Sequence, residues 1–228
     1  MSVLEKKNYN DRPRREAGLF YFDENLKKEN NVKALIGIDE AGRGPLAGPV
    51  TACAVFIPSQ AAESLYEIND SKKMSEKKRE KLFVKMIDLG VIYSFSYALP
   101  LEIDSDNILN ASLNSMKRAA LSVLKKIPFS NKEILFAVDG PHKMKDFPFS
   151  QKALVDGDAK SQSIAAASIF AKTIRDRWMK IIDGEFPGYG FASHKGYGTA
   201  VHVKALKHLG PCKWHRKSFA PVKSLCAK

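Results

Sequence analysis

Residues 34–57 constrain the fold more than any other part of this sequence. An apolar run ends there in two adjacent carboxylates, Asp39 and Glu40, and a second apolar run follows after a turn rich in glycine and proline. The pattern predicts two β-strands, at about residues 34–39 and 49–57, joined by a loop that starts at the two acids.

The two acids can serve one site only if the first strand ends at Asp39. Neighbouring side chains on a continuing strand point to opposite faces, whereas a turn can bring Glu40 round to the side of Asp39. Glycines within residues 42–48 allow close approach to a ligand and positive φ angles, and Arg43 among them offers a planar donor fork that suits phosphate. A tight hairpin with two solvated acids is the alternative interpretation, and the spacing alone favours neither.

Two further acids stand beside predicted elements. Residues 133–138 form an apolar strand that ends at Asp139, and Asp158 lies just before an Ala-rich helix. If the strands ending at Asp39 and Asp139 are parallel, their carboxyl ends lie at one edge of the sheet, where open α/β sheets bind ligands. Asp158 is either a helix cap or a metal ligand, and Asp156 competes with it for the second role.

A carboxylate cluster of this kind suits hard divalent cations. Mg²⁺ and Mn²⁺ prefer oxygen ligands, and two such ions about 3.5–4 Å apart can clamp an in-line phosphoryl displacement. Without metal the acids would repel one another and a phosphate, so the pattern predicts metal dependence. The candidate metal ligands, which are also the candidate catalytic residues, are Asp39, Glu40, Asp139 and Asp158.

The charge balance indicates a polyanionic partner. The chain of 228 residues has 37 Lys and Arg against 25 Asp and Glu, which gives a formal net charge of +12. Residues 186–228 hold eight basic residues and no acid. A basic tail beside a carboxylate site is typical of a protein that holds a polyanion with one part of its surface, and nucleic acid is the expected partner. A generally basic protein without such a partner is the alternative.

Length and composition favour a single core in a cytoplasmic protein. The chain can bury one sizeable core, and no apolar run approaches the roughly 20 residues of a membrane span. The amino terminus is too polar for a signal peptide. The widely spaced Cys53, Cys212 and Cys226 are odd in number, which predicts reduced thiols. We expect no membrane contact and take a monomer as the default.

Local signals predict further elements around this core. Ser75 is a good cap for a helix with apolar residues at helical spacing, and residues 91–99 read as a third strand. A long amphipathic helix is expected over residues 106–126 and a last helix over residues 199–209.

We predict three segments along the chain. Residues 1–32 form an N-terminal extension without an assigned role, whose apolar stretch at residues 19–22 is expected to pack on the main body. Residues 33–185 form the catalytic domain. Residues 186–228 form a basic helical region that contributes to nucleic-acid binding.

Several motifs resemble those of one nuclease family. The stretch Asp-Glu-Ala-Gly-Arg-Gly-Pro-Leu-Ala-Gly-Pro-Val at residues 39–50 resembles the signature of the type 2 ribonucleases H, the ribonuclease HII family. Later segments resemble blocks of the same family in the same order, and the resemblance covers about residues 34–222. Ala165 stands where the family usually has serine, and we expect little effect from it. The later segments are Asn-Asp-Ser-Lys-Lys-Met (69–74), Val-Asp-Gly (138–140), Gly-Asp-Ala-Lys (157–160), the helical block 165–176, His-Lys-Gly-Tyr-Gly-Thr (194–199) and His-Arg-Lys-Ser-Phe-Ala-Pro-Val (215–222).

The resemblance implies a fold and an activity. The fold is α/β and ribonuclease H-like, with a central mixed β-sheet flanked by helices and a small helical C-terminal region. The activity is Mg²⁺- or Mn²⁺-dependent endonucleolytic cleavage of RNA paired with DNA, including incision on the 5′ side of a single ribonucleotide in duplex DNA. By position, the four candidate acids would be the metal ligands.

The resemblance also implies contacts with the substrate. The main chain of Gly42-Arg43-Gly44 would read the ribose 2′-OH and the adjacent phosphate, and Tyr197 would lie against the sugar at the RNA–DNA junction. Tyr189, in a second Gly-Tyr-Gly, is the alternative for that role. Candidates for phosphate contact are Lys72, Lys73, Lys195 and Arg216.

Two other functions fit parts of the pattern. The type 3 enzymes share the chemistry but normally carry a substantial N-terminal substrate-binding domain, and the residues before the first strand are too few for one. A non-catalytic nucleic-acid binder on a degenerate nuclease fold belongs to a different class. The presence of all four expected acids favours an enzyme over such a binder.

Overall fold

A five-stranded mixed sheet forms the centre of the molecule. The computed structural model describes residues 16–68 and 74–226. The strands are β1 Ala34–Ala41, β2 Val50–Phe56, β3 Ile92–Ala98, β4 Ile134–Asp139 and β5 Gln151–Leu154. Their order is β3-β2-β1-β4-β5, in which β1 is antiparallel to β2 and parallel to β4. The predicted mixed sheet is confirmed.

Helices cover both faces of this sheet, and several begin at the capping residues that the sequence supplies. Ser75, Asn107, Ser161 and Thr199 each accept a hydrogen bond from the first turn of the helix that follows, which satisfies an otherwise unpaired N–H group. Within the described ranges, no helix is both long and apolar enough to cross a membrane. The helices are α1 Glu16–Glu29, α2 Ser59–Ala62, α3 Glu76–Asp88, α4 Pro100–Asp106, α5 Ile108–Leu124, α6 Gln162–Glu185, α7 Phe191–His194, α8 Ala200–Leu209 and α9 Val222–Cys226.

The two faces of the sheet pack on different helices. Ile36 and Ile38 of β1 belong to a buried cluster with Met116 of α5. Cys53 of β2 belongs to a second buried cluster with Phe170 of α6. Side chains alternate between the two faces along a strand, so a single strand can supply apolar side chains to both clusters. The sheet lies between α5 on one face and α6 on the other.

Gly37 allows α6 to lie directly against the middle of β1. A Cβ atom at this position would lie 2.1 Å from the carbonyl carbon of Ser163, in the first turn of α6. That distance is far below van der Waals contact, and the obstacle is main chain that cannot rotate away. The strand that carries Asp39 is therefore fixed against the helix two residues before the acid.

Gly37→Ala is expected to lower the free energy of unfolding by about 1–3 kcal/mol or more, since the new methyl group must displace a helix backbone. Gly184→Ala in α6 is the matched control, because nothing lies within 4 Å of its added Cβ. That change should raise stability by up to about 1 kcal/mol through helix propensity. Denaturant unfolding of both variants measures the difference, and similar effects in the two would contradict close packing at Gly37.

The helix α1 is attached to the main body by both apolar and polar contacts. Leu19 and Leu26 are buried. The Asp23 carboxylate accepts hydrogen bonds from the N–H and the hydroxyl group of Ser163, both at 2.8 Å. The N–H of Ser163 lies in the first turn of α6, so Asp23 caps that helix from outside it. The expected packing of residues 19–22 on the main body is confirmed.

Asp23→Asn is expected to change how stability depends on pH. Burial raises the pKa of Asp23 from 3.8 to about 6, despite the hydrogen bonds from Ser161 and Ser163. The protonated form is favoured in the folded state, so this contribution to stability is complete below pH 3.8 and is lost as the pH rises through about 6. Relative to wild type, the asparagine variant should gain up to about 3 kcal/mol between these pH values. Denaturant unfolding across this range measures it, and a difference independent of pH would contradict the assignment.

Three details of the predicted secondary structure are wrong. β1 continues beyond Asp39 to Ala41. The helix predicted over residues 106–126 is present as α5, but the separate helix α4 before it was not predicted; Asn107, with a φ of 64°, caps α5 with its side chain and divides the two. β5 at the sheet edge was not predicted, since its residues are half-exposed and lack an apolar run.

The C-terminal residues bond to the loop that follows β1 and to α4. Ala47 forms an isolated β-bridge with His215. Asp104 of α4 accepts hydrogen bonds from the main-chain N–H groups of Lys217 and Ser218, both at 2.8 Å. The division of the chain into three segments stays a prediction.

Candidate active site

β1 and β4 bring two of the predicted acids to one edge of the sheet. The strands are parallel, and Ile38 lies beside Val138 in their register. Asp39 and Asp139 directly follow these two residues, so they occupy neighbouring positions at the carboxyl edge. The parallel arrangement on which the predicted site depends is therefore present.

Glu40 reaches this edge in a way that differs from the prediction. The strand continues through Glu40, which pairs with Ala52 of β2, so alternation places the side chains of Asp39 and Glu40 on opposite faces. The expected turn at Glu40 is wrong. The pairing with β4 ends before these residues, so both acids lie at an open edge within electrostatic range of Asp139.

Asp158 joins the edge through the turn that precedes α6. Asp139 accepts a hydrogen bond from the N–H of Gly157 at 2.7 Å, which places the next residue, Asp158, beside Asp139. Asp158 is buried, whereas Asp156 is exposed in a left-handed conformation. Ser161 caps α6, so the cap of this helix does not depend on Asp158; the choice of Asp158 over Asp156 as the acid of the site stays a prediction.

Burial and mutual repulsion dominate the electrostatics of the acids. Burial raises the pKa of Asp39 well above its ordinary value, and the charges of Glu40 and Asp139 raise it further. Burial also raises the pKa of Glu40; Arg43 opposes this shift, and Asp139 adds to it. Three carboxylates that disfavour one another's charge form a site that a divalent cation would stabilise.

The acids currently bond to protein groups. Asp39 accepts a hydrogen bond from the N–H of Glu40 at 2.7 Å, and Arg43 Nη1 lies 3.5 Å from Glu40 Oε1. Among residues 16–68 and 74–226, no three His, Cys, Asp or Glu side chains converge into a preformed metal cage. The donor set fits Mg²⁺ or Mn²⁺ by its chemistry.

One face of α6 contacts both Asp39 and the loop of residues 42–49. The hydroxyl group of Ser168 hydrogen-bonds the carboxylate of Asp39. Arg175 lies two turns further on the same face and reaches the glycine-rich loop, where it donates to Pro49 O at 2.9 Å. Sequence reasoning missed Ser168; its spacing of seven residues from Arg175 is the signal that would have indicated a shared face.

The glycine-rich loop, residues 42–49, follows β1 and needs two of its glycines for close packing. Gly42 has a φ of 98°, and a Cβ there would lie 2.0 Å from Arg175 Nε. Gly48 has a φ of 87°, and a Cβ there would lie 2.3 Å from Met179 Sδ. Side chains at these positions would strain the backbone and displace the side chains of Arg175 and Met179, which α6 places beneath the loop.

Tyr197 lies against this loop. Its Cε1 atom is 3.7 Å from the position a Cβ would take at Gly44, and 46% of the residue is exposed. Tyr189 is buried, and its hydroxyl group donates to the carbonyl oxygen of Gly210 at 2.7 Å. Of the two tyrosines, only Tyr197 has an accessible ring beside the loop.

The candidate phosphate contacts divide into three groups. Lys72 and Lys73 lie outside the described residues. Lys195 is half-buried and donates to the carbonyl oxygen of Ala192 at 2.7 Å. Arg216 is fully buried, with its guanidinium donating to carbonyl oxygens of the glycine-rich loop, so the expectation of a direct phosphate contact is corrected for this residue.

Comparisons of sequence agree on one family. The ribonuclease HII family model matches residues 36–222. Ribonuclease HII of Fusobacterium nucleatum subsp. nucleatum is 51% identical over 191 residues, which cover 82% of this chain and 86% of the relative. Ribonuclease HII of Syntrophotalea carbinolica is 43% identical over 211 residues, which cover 92% of this chain and 96% of the relative.

Comparisons of structure agree with those of sequence. Ribonuclease H2 from Pyrococcus horikoshii OT3 superposes with a TM-score of 0.66 at 25% identity, covering 85% of this chain and 97% of that chain. Bst-RNase HIII in complex with Mn²⁺ gives a TM-score of 0.72 at 15% identity, covering 88% of this chain and 71% of that chain. The second likeness shows a shared fold alone, and the predicted ribonuclease H-like fold is confirmed. With the family match over most of its length, this chain belongs to the ribonuclease HII family, and it is a hydrolase of the ribonuclease H type that acts as an endonuclease.

Proposed function

We propose that this enzyme hydrolyses the RNA strand of RNA–DNA hybrids and incises duplex DNA on the 5′ side of a single ribonucleotide, with divalent metal ions as cofactors. One observation carries the proposal. The acids at the sheet edge run directly into the glycine-rich loop, and the exposed ring of Tyr197 lies beside that loop. The groups needed for phosphodiester chemistry and for sugar recognition are thus contiguous.

The four acids are the proposed ligands of Mg²⁺ or Mn²⁺. Burial and mutual repulsion raise the pKa values of Asp39 and Glu40, and bound cations would offset that repulsion. When bound, two such ions supply an activated water and stabilise the charge on the departing 3′ oxygen. Hydrolysis of the phosphodiester bond then leaves a 5′-phosphate and a 3′-hydroxyl end. The ligands are Asp39, Glu40, Asp139 and Asp158.

Recognition of the ribonucleotide is assigned to Gly42-Arg43-Gly44 and Tyr197. The 2′-OH distinguishes a ribonucleotide from its deoxy neighbours in a duplex, so the contacts that read it must carry the specificity. The Arg43 side chain is partly exposed beside Glu40, where its guanidinium suits a phosphate oxygen. An accessible tyrosine ring offers an apolar surface for the adjacent sugar.

Three duplexes separate this function from its alternatives. One holds a single ribonucleotide in DNA, one is a continuous RNA–DNA hybrid, and one is all DNA. We expect metal-dependent cleavage of the first two and no cleavage of the third. Cleavage of the continuous hybrid alone would indicate a type 3 activity, and binding without any cleavage by the folded protein would indicate a non-catalytic binder.

The basic C-terminal region is proposed to bind the duplex outside the acid site. The exposed lysines of the C-terminal region, such as Lys204 and Lys217, are proposed to contact phosphates of the duplex. Binding should then weaken steeply as salt rises, because phosphate contacts release counterions. The cellular location and the oligomeric state rest on composition alone, and the prediction for them stays a cytoplasmic monomer.

A further inference from the structure

Arg175 lies buried beneath the glycine-rich loop and bonds to main-chain oxygens. Its Nε donates to the carbonyl oxygen of Pro49 at 2.9 Å. Its Nη2 donates to those of Ala47 at 3.2 Å and Lys195 at 3.0 Å. One side chain of α6 therefore joins the glycine-rich loop to the segment that carries Tyr197.

Arg216 lies beneath the same loop and comes from the C-terminal region. Its Nη2 donates to the carbonyl oxygens of Gly42 at 2.6 Å and Gly48 at 2.9 Å. Its Nη1 donates to the carbonyl oxygen of Arg43 at 2.8 Å. The two guanidiniums together hold carbonyl groups at both ends of the loop.

These two cations are buried without a hydrogen-bonded carboxylate among the described residues, although Asp176 lies within electrostatic range of Arg175 and Asp104 within range of Arg216. In the part of the chain that the structure describes, both guanidiniums donate their hydrogen bonds to main-chain carbonyl oxygens. Burial lowers the pKa of Arg175 to about 10 and that of Arg216 to about 9, and the charge of Arg175 contributes to the second shift. Both stay protonated at neutral pH. Burying two like charges is costly.

The geometry of the peptide bond shows what this arrangement achieves. In a trans peptide, the C=O of one residue and the N–H of the next point in opposite directions. The carbonyl groups of Gly42 and Arg43 point inward to Arg216, so the N–H groups of Arg43 and Gly44 point away from it. Within the described residues, neither N–H has a hydrogen-bond partner.

We propose that Arg175 and Arg216 are positioning residues for ribonucleotide specificity, which fix the peptide planes of residues 42–44 so that two main-chain N–H groups face the ribose and its phosphate. This inference rests on the proposed function of the loop. It also explains why two guanidiniums are needed: a planar fork bonds several carbonyl groups in fixed directions, and an ammonium group does not. The positive charge behind each peptide plane further polarises the N–H on its other side.

The test compares lysine variants, which keep the charge and remove the fork. Binding of Arg175→Lys and Arg216→Lys to the single-ribonucleotide duplex and to the all-deoxy duplex is measured by fluorescence anisotropy in EDTA, so that no cleavage occurs. Each variant should lose about 10–100-fold in affinity for the ribonucleotide duplex, the equivalent of one or two hydrogen bonds to charged groups. Affinity for the all-deoxy duplex should change less than about 2-fold, because surface lysines provide it.

Arg79→Lys is the matched control. Arg79 is another buried arginine that donates to a main-chain carbonyl, that of Met74, at 2.6 Å, and it also pairs with Asp176 at 3.0 Å. Neither Met74 nor Asp176 belongs to the glycine-rich loop. The change should lower the melting temperature without altering the ratio of the two affinities.

The outcomes separate the inference from the function on which it rests. A wild-type protein that binds and cleaves without regard to the ribonucleotide overturns both. A wild-type protein that discriminates, with lysine variants that discriminate equally well, overturns the positioning role alone. If neither lysine variant folds, amide NMR of the wild type decides: the N–H signals of Arg43 and Gly44 should shift with the ribonucleotide duplex and not with the all-deoxy one, and equal shifts contradict the proposal.

Discussion

Asp39→Asn should reduce cleavage of a single-ribonucleotide duplex by roughly 10²–10³-fold or more, the loss expected when a group that stabilises transition-state charge is removed. The protein should stay folded. Its melting temperature without metal should rise, because burial and the charges of Glu40 and Asp139 already disfavour the charged carboxylate in the folded state. Conversely, the stabilisation of wild type by added Mn²⁺ should shrink in the variant, since cation binding loses a ligand.

Asp156→Asn is the matched control for this prediction. Asp156 is an exposed acid that lies close to Asp158 in sequence and outside the acid edge. Cleavage and the Mn²⁺-dependent shift in melting temperature should both stay near wild-type values. Cleavage that survives in Asp39→Asn, or a metal-dependent shift that is unchanged there, would remove Asp39 from the metal site.

Tyr197→Ala should lower the rate of cleavage at a single ribonucleotide by about 10–100-fold, since an aromatic contact with a nucleotide contributes about 1–3 kcal/mol. The ring is accessible and lies against Gly44, so its removal should not unfold the protein. Affinity for an all-deoxy duplex should change little. Tyr197→Phe should keep most of the activity, because the ring and not the hydroxyl group provides the surface. Steady-state cleavage and anisotropy binding measure the two effects.

Tyr189→Phe provides the comparison within the second Gly-Tyr-Gly. Its hydroxyl group bonds Gly210 in the interior, so this change should lower stability by about 1 kcal/mol and leave substrate preference intact. If Tyr197→Ala weakens binding of both duplexes equally, the ring is a packing group and the sugar contact is wrong.

Local signals in the sequence predict much of this molecule. The apolar runs end within one residue of the ends of strands β2 and β4. Ser75 and Thr199 cap the helices that follow them by accepting a hydrogen bond from the first turn. Acids at the ends of apolar runs indicate the edge of the sheet, because burying a carboxylate without a partner is costly. Motif resemblance then identified the family, which the comparisons confirm.

The misses arise where distant parts of the chain decide the outcome. Arg216 has a side chain that suits a phosphate, yet it donates to the carbonyl oxygen of Gly42, 174 residues away. No local sequence pattern indicates a hydrogen bond over that separation. β1 extends past Asp39 because β2 pairs with it there, which depends on the register of two strands. A half-exposed edge strand such as β5 is specified by the neighbour it pairs with and carries little signal of its own.

The chemical nature of the strand ends that cleavage produces at a single ribonucleotide tests the mechanism most directly. A duplex labelled on both sides of the ribonucleotide is incubated with Mg²⁺, Mn²⁺ or EDTA, and the position and chemistry of each end are determined. Metal-assisted attack by water predicts a nick on the 5′ side, with a 3′-hydroxyl on the DNA, a 5′-phosphate on the ribonucleotide and no product in EDTA. A nick on the 3′ side that persists in EDTA and ends in a cyclic phosphate would show attack by the ribonucleotide's own 2′-OH, and would contradict a metal site at the four acids.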